Sequence, residues 1–233
     1  LIGIPVSLCC LCVAAFHPIS ADDALPPAVA RAFESVVSVR VREIVKVPVF
    51  RGGRFRREQI EGVGAGSGVV VSADGLILTN AHVVAGAAEV RVGIPGGREA
   101  GAQVIAMDPA SDLALLRADG GGFLPIRFAE SDLPAAGTGA FVVGNRGDLG
   151  PEVAWAKIGA HRRLRVGARP LEFLCEVDGH IGPGNSGGAV LDPGGALLGI
   201  PSLQILYSGE SRRSAAHVAG LFVPAAHARR SLR

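Results

Sequence analysis

At 233 residues, with 48% apolar and 19% charged side chains, the chain has the composition of a folded protein rather than a disordered one. A formal net charge of +2 is too small to imply a nucleic-acid partner, so the arginines of "RGGRFRRE" and "HRRLR" read as solvated loop charges. The 33 glycines and 15 prolines predict many turns, as in an all-β protein.

The first segment, "LIGIPVSLCCLCVAAFHPISADD", is apolar as far as Phe16 and then turns polar. A membrane-spanning helix needs ~20 apolar residues. Residues 1–21 therefore read as a secretory signal with cleavage after Ala21, and an uncleaved anchor is the alternative. Either way the domain that follows is expected outside the cytoplasm, periplasmic or secreted, with no other membrane contact. Removal of the signal would take Cys9, Cys10 and Cys12 with it and leave Cys175 alone, as a small buried apolar residue.

Next, "LPPAVARAFESVVSVRV" reads as a short helix leading into a strand, with Val37, Val39 and Val41 on one face. "VKVPVFRGGRFRREQIEG" reads as an exposed basic loop. Short β-type runs follow: "SGVVVS", "GLILTN", "AEVRVGI", "AQVIAMD" and "LALLRA", the first two joined by a tight turn at Ala73-Asp74-Gly75. The Gly- and Pro-rich residues 121–137 make a linker. A second series then runs through "AFVVGN", "EVAWAKIGA", "LEFLCEV", "GAVLD", "GALLGIPSLQI" and "HVAGLFVP". Two sets of about six strands, in residues 22–120 and 138–233, predict an all-β chain of two packed six-stranded antiparallel β-barrels.

Three segments carry candidate chemistry. "LTNAHVV" puts His82 just after a strand, "DPASDLALLR" puts Asp112 just before one, and "GPGNSGGAV" puts Ser186 on a tight turn entering another. Taken singly, each has an ordinary structural reading: a core histidine, a turn-capping aspartate, a serine in a Gly-rich turn. Together they are the parts of a nucleophilic site. A serine hydroxyl needs an adjacent base, a neutral imidazole can serve, and a carboxylate can hold that imidazole's tautomer. The backbone N–H groups of Gly184 and Ser186 can then converge on a developing oxyanion. "GNSGG" also fits the elbow of α/β-hydrolases, but that fold needs its acid and histidine after the serine, on a parallel sheet with helices between the strands.

"GSGVVVSADGLILTNAHVV", "SDLALLR" and "GPGNSGGAVLDPGGALLGI" resemble the HtrA/DegP branch of trypsin-fold serine proteases, over roughly residues 28–228. The resemblance implies a trypsin/chymotrypsin-like fold and an endopeptidase that uses no metal and no organic cofactor. Its polypeptide substrates would be unfolded or damaged extracytoplasmic proteins. By position, His82 is the general base, Asp112 its orienter and Ser186 the nucleophile, with Gly184 and Ser186 as the oxyanion donors. The walls of the specificity pocket fall at His180, Ile181, Gly182, Ser202, Leu203, Gln204 and Gly220. No acid is among them, so a small or medium apolar residue is expected before the cut, and His180 would add a group that charges in mild acid.

Several features depart from the pattern. Asn185 stands where many digestive-type relatives carry an aspartate that pairs with a new N-terminus, so activation should not need one. Arg146-Gly147-Asp148 replaces the usual proline and aromatic. His161, His217 and His227 have no catalytic context. No PDZ domain follows the last strand run within these residues, which fits a bare protease domain or a fragment of a longer one. Relatives often form homotrimers through N-terminal segments. The competing function is a catalytically silent trypsin-fold scaffold that binds unfolded polypeptides, and a narrower one is ester hydrolysis.

Overall fold

The computed structural model describes residues 25–231 except 132, 146–149, 167–168, 179–180, 183 and 208–216. The expected signal, the Arg146-Gly147-Asp148 segment and His180 lie outside the described residues.

The N-terminal barrel is built from β1 (Val36–Arg51), β2 (Arg54–Val70), β3 (Leu76–Thr79), β4 (Ala87–Ile94), β5 (Arg98–Asp108) and β6 (Leu113–Ala118). Its strands neighbour one another in the order β1-β2-β3-β6-β5-β4, and β4 closes on β1. The C-terminal barrel is built from β7 (Gly139–Asn145), β8 (Pro151–Val166), β9 (Arg169–Asp178), β10 (Ala189–Leu191), β11 (Leu197–Tyr207) and β12 (His217–Pro224). Its order, β7-β8-β9-β12-β11-β10 with β10 closing on β7, repeats that of the first. Every described pairing within the barrels is antiparallel.

Many strands carry unbroken apolar runs because both of their faces are buried. Side chains alternate across a strand, so consecutive residues serve different cores. Val37, Val39, Val70, Ile77 and Leu116 fill the first barrel, whereas Val36, Val69, Leu78 and Leu113 lie in a third cluster between the barrels. The second barrel does the same: Val142, Val190, Leu198 and Phe222 point inward, and Val143, Leu191, Leu197, Leu221 and Val223 join the shared cluster. Alternation within a run such as "VVV" or "LALL" thus builds a barrel and the seam at once.

Residues 45–62, expected as a loop, are instead the outer arms and turn of a β1–β2 hairpin paired from Val36↔Val69 out to Arg51↔Arg54. The two-residue turn Gly52-Gly53 has φ of 60° and 79°, values open to glycine and suited to a tight hairpin. The arms are exposed as expected, and their backbone is paired strand rather than loop. Phe50 and Phe55 face each other near the tip, centroids 5.0 Å apart, and are 63% and 76% exposed.

Residues between the barrels are packed rather than free. Ile126 N–H donates to Val70 O at 2.9 Å, and Ala129 N–H to Leu197 O at 3.0 Å, so this connection touches both barrels. Helix α1 (Pro27–Ala32) opens the described chain, one-turn α2 (Ala81–Val84) follows β3, and α3 (Ala225–Ser231) closes it. Helix α3 carries no strong sequence signal. It buries Ala225 and Ala228 in the shared cluster, while Arg229 donates to Ala129 O at 2.9 Å and covers the Phe128 ring at 5.0 Å.

Candidate active site

His82 sits on α2 and Asp112 in the turn between β5 and β6, both in the N-terminal barrel. Asp112 has φ of 55°, the one positive φ outside glycine among the described residues. Aspartate tolerates that conformation better than most L-residues. Two bonds hold the main chain there: Asp112 O accepts from Asn80 Nδ2 at 2.9 Å and from Ala81 N–H at 3.2 Å. The carboxylate then turns onto the histidine. Oδ2 lies 2.8 Å and Oδ1 3.1 Å from His82 Nδ1, and Oδ1 also accepts the His82 backbone N–H at 3.0 Å. Acceptance by the carboxylate makes Nδ1 the protonated nitrogen and leaves Nε2 as the free base. The Asp112 side chain is 11% exposed and the His82 side chain 50% exposed, so an anchored acid backs an accessible imidazole.

Ser186 occupies the turn before β10, across the seam. Its hydroxyl donates to Ser202 O at 3.4 Å, and no hydrogen bond joins it to His82 among the described residues. Ser202 links the two halves, because its own hydroxyl donates to Asp112 Oδ2. The serine and the imidazole are thus linked through Ser202 and Asp112, with no direct hydrogen bond between them among the described residues.

The turn around Ser186 accounts for its glycines. Asn185 N–H donates to Gly182 O at 3.1 Å, closing a turn whose third residue, Gly184, has φ of 95°. Glycine adopts that φ at little steric cost. Gly187 has φ of 82°, and a Cβ there would overlap Ser67 O and the Thr79 hydroxyl. A Cβ on Gly188 would overlap Val143 O. Gly187 N–H donates to Pro201 O at 3.0 Å and Gly188 N–H to Asn185 O at 2.9 Å. After this accounting, the N–H groups of Gly184 and Ser186 have no partner among the described residues. The Asn185 side chain is buried against Gly144, and its amide atoms have no hydrogen-bond partner among the described residues.

Of the residues expected to wall a specificity pocket, Ile181 and Gly182 are buried beside the turn. A Cβ on Gly220 would meet Ile181 Cδ1 at 2.5 Å and Val177 Cγ1 at 2.9 Å, so Gly220 packs closely on two residues of the second barrel's core. Leu203 packs on the shared cluster and Gln204 is exposed. Among the other histidines, His161 Nε2 lies 3.2 Å from Pro134 O.

A family profile for a trypsin-like peptidase domain matches residues 66–200, which span His82, Asp112 and Ser186. The chain belongs to the trypsin-like peptidase domain family. This peptidase domain is 35% identical over 187 residues to a probable periplasmic serine endoprotease, DegP-like, of Ectopseudomonas mendocina, covering 80% of this chain and 37% of that protein. It is 33% identical over 225 residues to the periplasmic pH-dependent serine endoprotease DegQ of Escherichia coli, covering 90% of this chain and 50% of that one. The chain thus spans between a third and a half of the length of these curated relatives. Among solved structures, the HtrA-type protease AlgW with decapeptide superposes with a TM-score of 0.71 at 31% identity, covering 90% of this chain and 66% of that chain. The serine endoprotease from Yersinia pestis gives 0.65 at 30% identity, covering 88% and 64%. The HtrA/DegP resemblance therefore holds in sequence and in fold.

Two residues of this peptidase domain were missed as polar contributors. The Ser202 hydroxyl, expected only as a pocket wall, bonds the Asp112 carboxylate, and Ser67 bonds the turn of Ser186: Ser67 N–H donates to Ser186 O at 2.8 Å. Both lie in apolar runs, "GSGVVV" and "GIPSLQI", where a buried polar residue was the available signal.

Proposed function

We propose that this chain is a serine endopeptidase. The observation that carries the reading is the His82–Asp112 pair at 2.8 Å, tied through Ser202 to Ser186 across the seam. In the reaction, Ser186 Oγ attacks the scissile carbonyl and its proton passes to His82 Nε2. Asp112 holds the imidazole by Nδ1 and stabilises the imidazolium. The oxyanion receives the N–H groups of Gly184 and Ser186, each such donor being worth roughly 3–4 kcal/mol of barrier. His82 then protonates the leaving amine, and water releases the acyl group by the same steps in reverse roles.

The substrates we propose are unfolded or damaged polypeptides outside the cytoplasm, since the named relatives are periplasmic serine endoproteases. A small or medium apolar residue before the cut is proposed from the resemblance and from the lack of any acid among His180, Ile181, Gly182, Ser202, Leu203, Gln204 and Gly220. For Asn185, a buried neutral amide supports activation without insertion of a new N-terminus. A homotrimer is the assembly proposed from the resemblance, and mass in solution tests it. A secretory signal in residues 1–21 is proposed likewise, with N-terminal sequencing of the exported protein as its test.

Labelling by a fluorophosphonate probe, lost in Ser186→Ala and His82→Ala, together with digestion of denatured casein, tests the activity. A folded wild-type chain that takes no label and cleaves nothing would favour the silent scaffold.

A further inference from the structure

The oxyanion turn belongs to the C-terminal barrel, yet its main chain is held by one residue of the N-terminal barrel. Ser67, on β2, is fully buried. Its backbone N–H donates to Ser186 O at 2.8 Å, and its hydroxyl donates to Gly184 O at 2.6 Å. The same hydroxyl oxygen accepts the Asn145 N–H at 2.8 Å, and Ser67 O accepts from Thr79 Oγ1 at 2.7 Å. Ser67 therefore grips the nucleophile's turn on both sides of Asn185 and is itself held on two others.

The consequence follows from peptide planarity. The Gly184–Asn185 peptide is fixed at its N–H by Gly182 O and at its carbonyl by Ser67 Oγ. The Ser186–Gly187 peptide is fixed at its carbonyl by Ser67 N–H and at its N–H by Pro201 O. Between and beside these two plates lie the unpartnered N–H groups of Gly184 and Ser186. Gly184 has φ of 95°, in a region where a glycine rotates freely between wells, so nothing in its own side chain holds the turn.

We propose that the Ser67 hydroxyl is a positioning residue for the oxyanion site: by bonding Gly184 O it holds the turn with the two free N–H groups converged. This deepens, and rests on, the serine endopeptidase reading. Ser67 touches no reacting atom. It acts through the turn, so its loss should weaken binding of the tetrahedral state and leave ground-state peptide binding in place.

The test uses the full chain as wild type, Ser67→Ala and Ser67→Cys, the cysteine keeping volume while replacing a strong donor with a weak one. Steady-state cleavage of a quenched peptide gives kcat and KM, and a peptidyl boronate, which forms a tetrahedral adduct on the nucleophile, reports the oxyanion site. In Ser67→Ala, kcat should fall about 10- to 100-fold with KM changed less than twofold, and boronate affinity should fall by the same factor as kcat. Ser67→Cys should lie between. Wild-type kcat in Ser67→Ala overturns the proposal. So does a loss carried by KM, or failure of both variants to fold, since each marks a merely structural residue. A wild-type chain that neither cleaves peptide nor binds the boronate overturns the protease reading as well, whereas an active wild type with equally active variants sinks only the role of Ser67.

Discussion

The hydroxyl of Ser202, on the C-terminal barrel, donates to the carboxylate of Asp112, on the N-terminal barrel. Asp112 is thus held from both barrels: Oδ2 meets His82 Nδ1 and the Ser202 hydroxyl together, and Oδ1 lies on the His82 side alone. A hydrogen bond to a buried charge contributes about 1.5–3 kcal/mol. Ser202→Ala should lower kcat about tenfold or more while the probe still labels Ser186, at a reduced rate. Unchanged labelling kinetics would show that His82 alone suffices to orient the acid.

Asp112→Asn separates charge from shape. Asparagine tolerates the φ of 55° found here, so the turn should survive. An amide in place of the carboxylate cannot stabilise an imidazolium and favours the wrong tautomer of His82. Peptidase kcat should drop by roughly 10⁴-fold with the melting temperature nearly unchanged. A loss below tenfold would remove Asp112 from the proposed triad.

Gly187→Ala and Gly86→Ala share a positive φ, 82° and 76°, but differ in surroundings. A methyl at Gly187 overlaps Ser67 O and the Thr79 hydroxyl, whereas nothing lies within 4 Å at Gly86. Gly86→Ala should cost about 1 kcal/mol from conformation alone. Gly187→Ala should cost roughly 3 kcal/mol or more and abolish cleavage. Equal melting points for the two would contradict the close approach of β2 to the turn.

Asp108 ties down the loop that delivers Asp112. The Ser111 hydroxyl at 2.6 Å, with help from the Ala110 N–H at 3.0 Å, holds its carboxyl below the ordinary carboxylate value. A group whose pKa is lower in the folded state stabilises the fold above its unfolded pKa, and that contribution is lost as pH falls through the folded one. Asp108→Asn should therefore be less stable than wild type at pH 7, and the gap should close in acid below about pH 4. Urea unfolding at several pH values checks this, and a gap independent of pH would refute it.

Burial pushes the Cys175 thiol up to about 12. With so little thiolate at pH 8, iodoacetamide should leave Cys175 unmodified in the native protein and alkylate it once urea unfolds the chain. Peptide mass spectrometry distinguishes it from any other cysteine. Rapid native labelling would mean that the second barrel opens readily.

The barrels were legible because their strands are short, bounded by Gly and Pro, and rich in β-branched residues. The hairpin arms were not, since the pair Gly52-Gly53 was read with its arginines and not with the alternating valines beside it. Its residues stay exposed, so the burial that normally marks a strand left no trace in the sequence. Helix α3 was missed for a related reason: "AAHARRS" has only small apolar residues, and its packing is decided by the seam beneath it. At the candidate site, His82, Asp112 and Ser186 are legible as residue types, whereas the hydroxyls that hold them, Ser67 and Ser202, gain meaning only when distant strands meet.

The shared apolar cluster joins the barrels through Val36, Leu78 and Leu113 on one side and Phe141, Leu191 and Val223 on the other. During synthesis the half bearing His82 and Asp112 emerges first, without Ser186 and its turn. On the proposed chemistry, a nascent or half-unfolded chain is therefore harmless to its neighbours. Proteolytic competence arrives only when the last hydrophobic surface is covered.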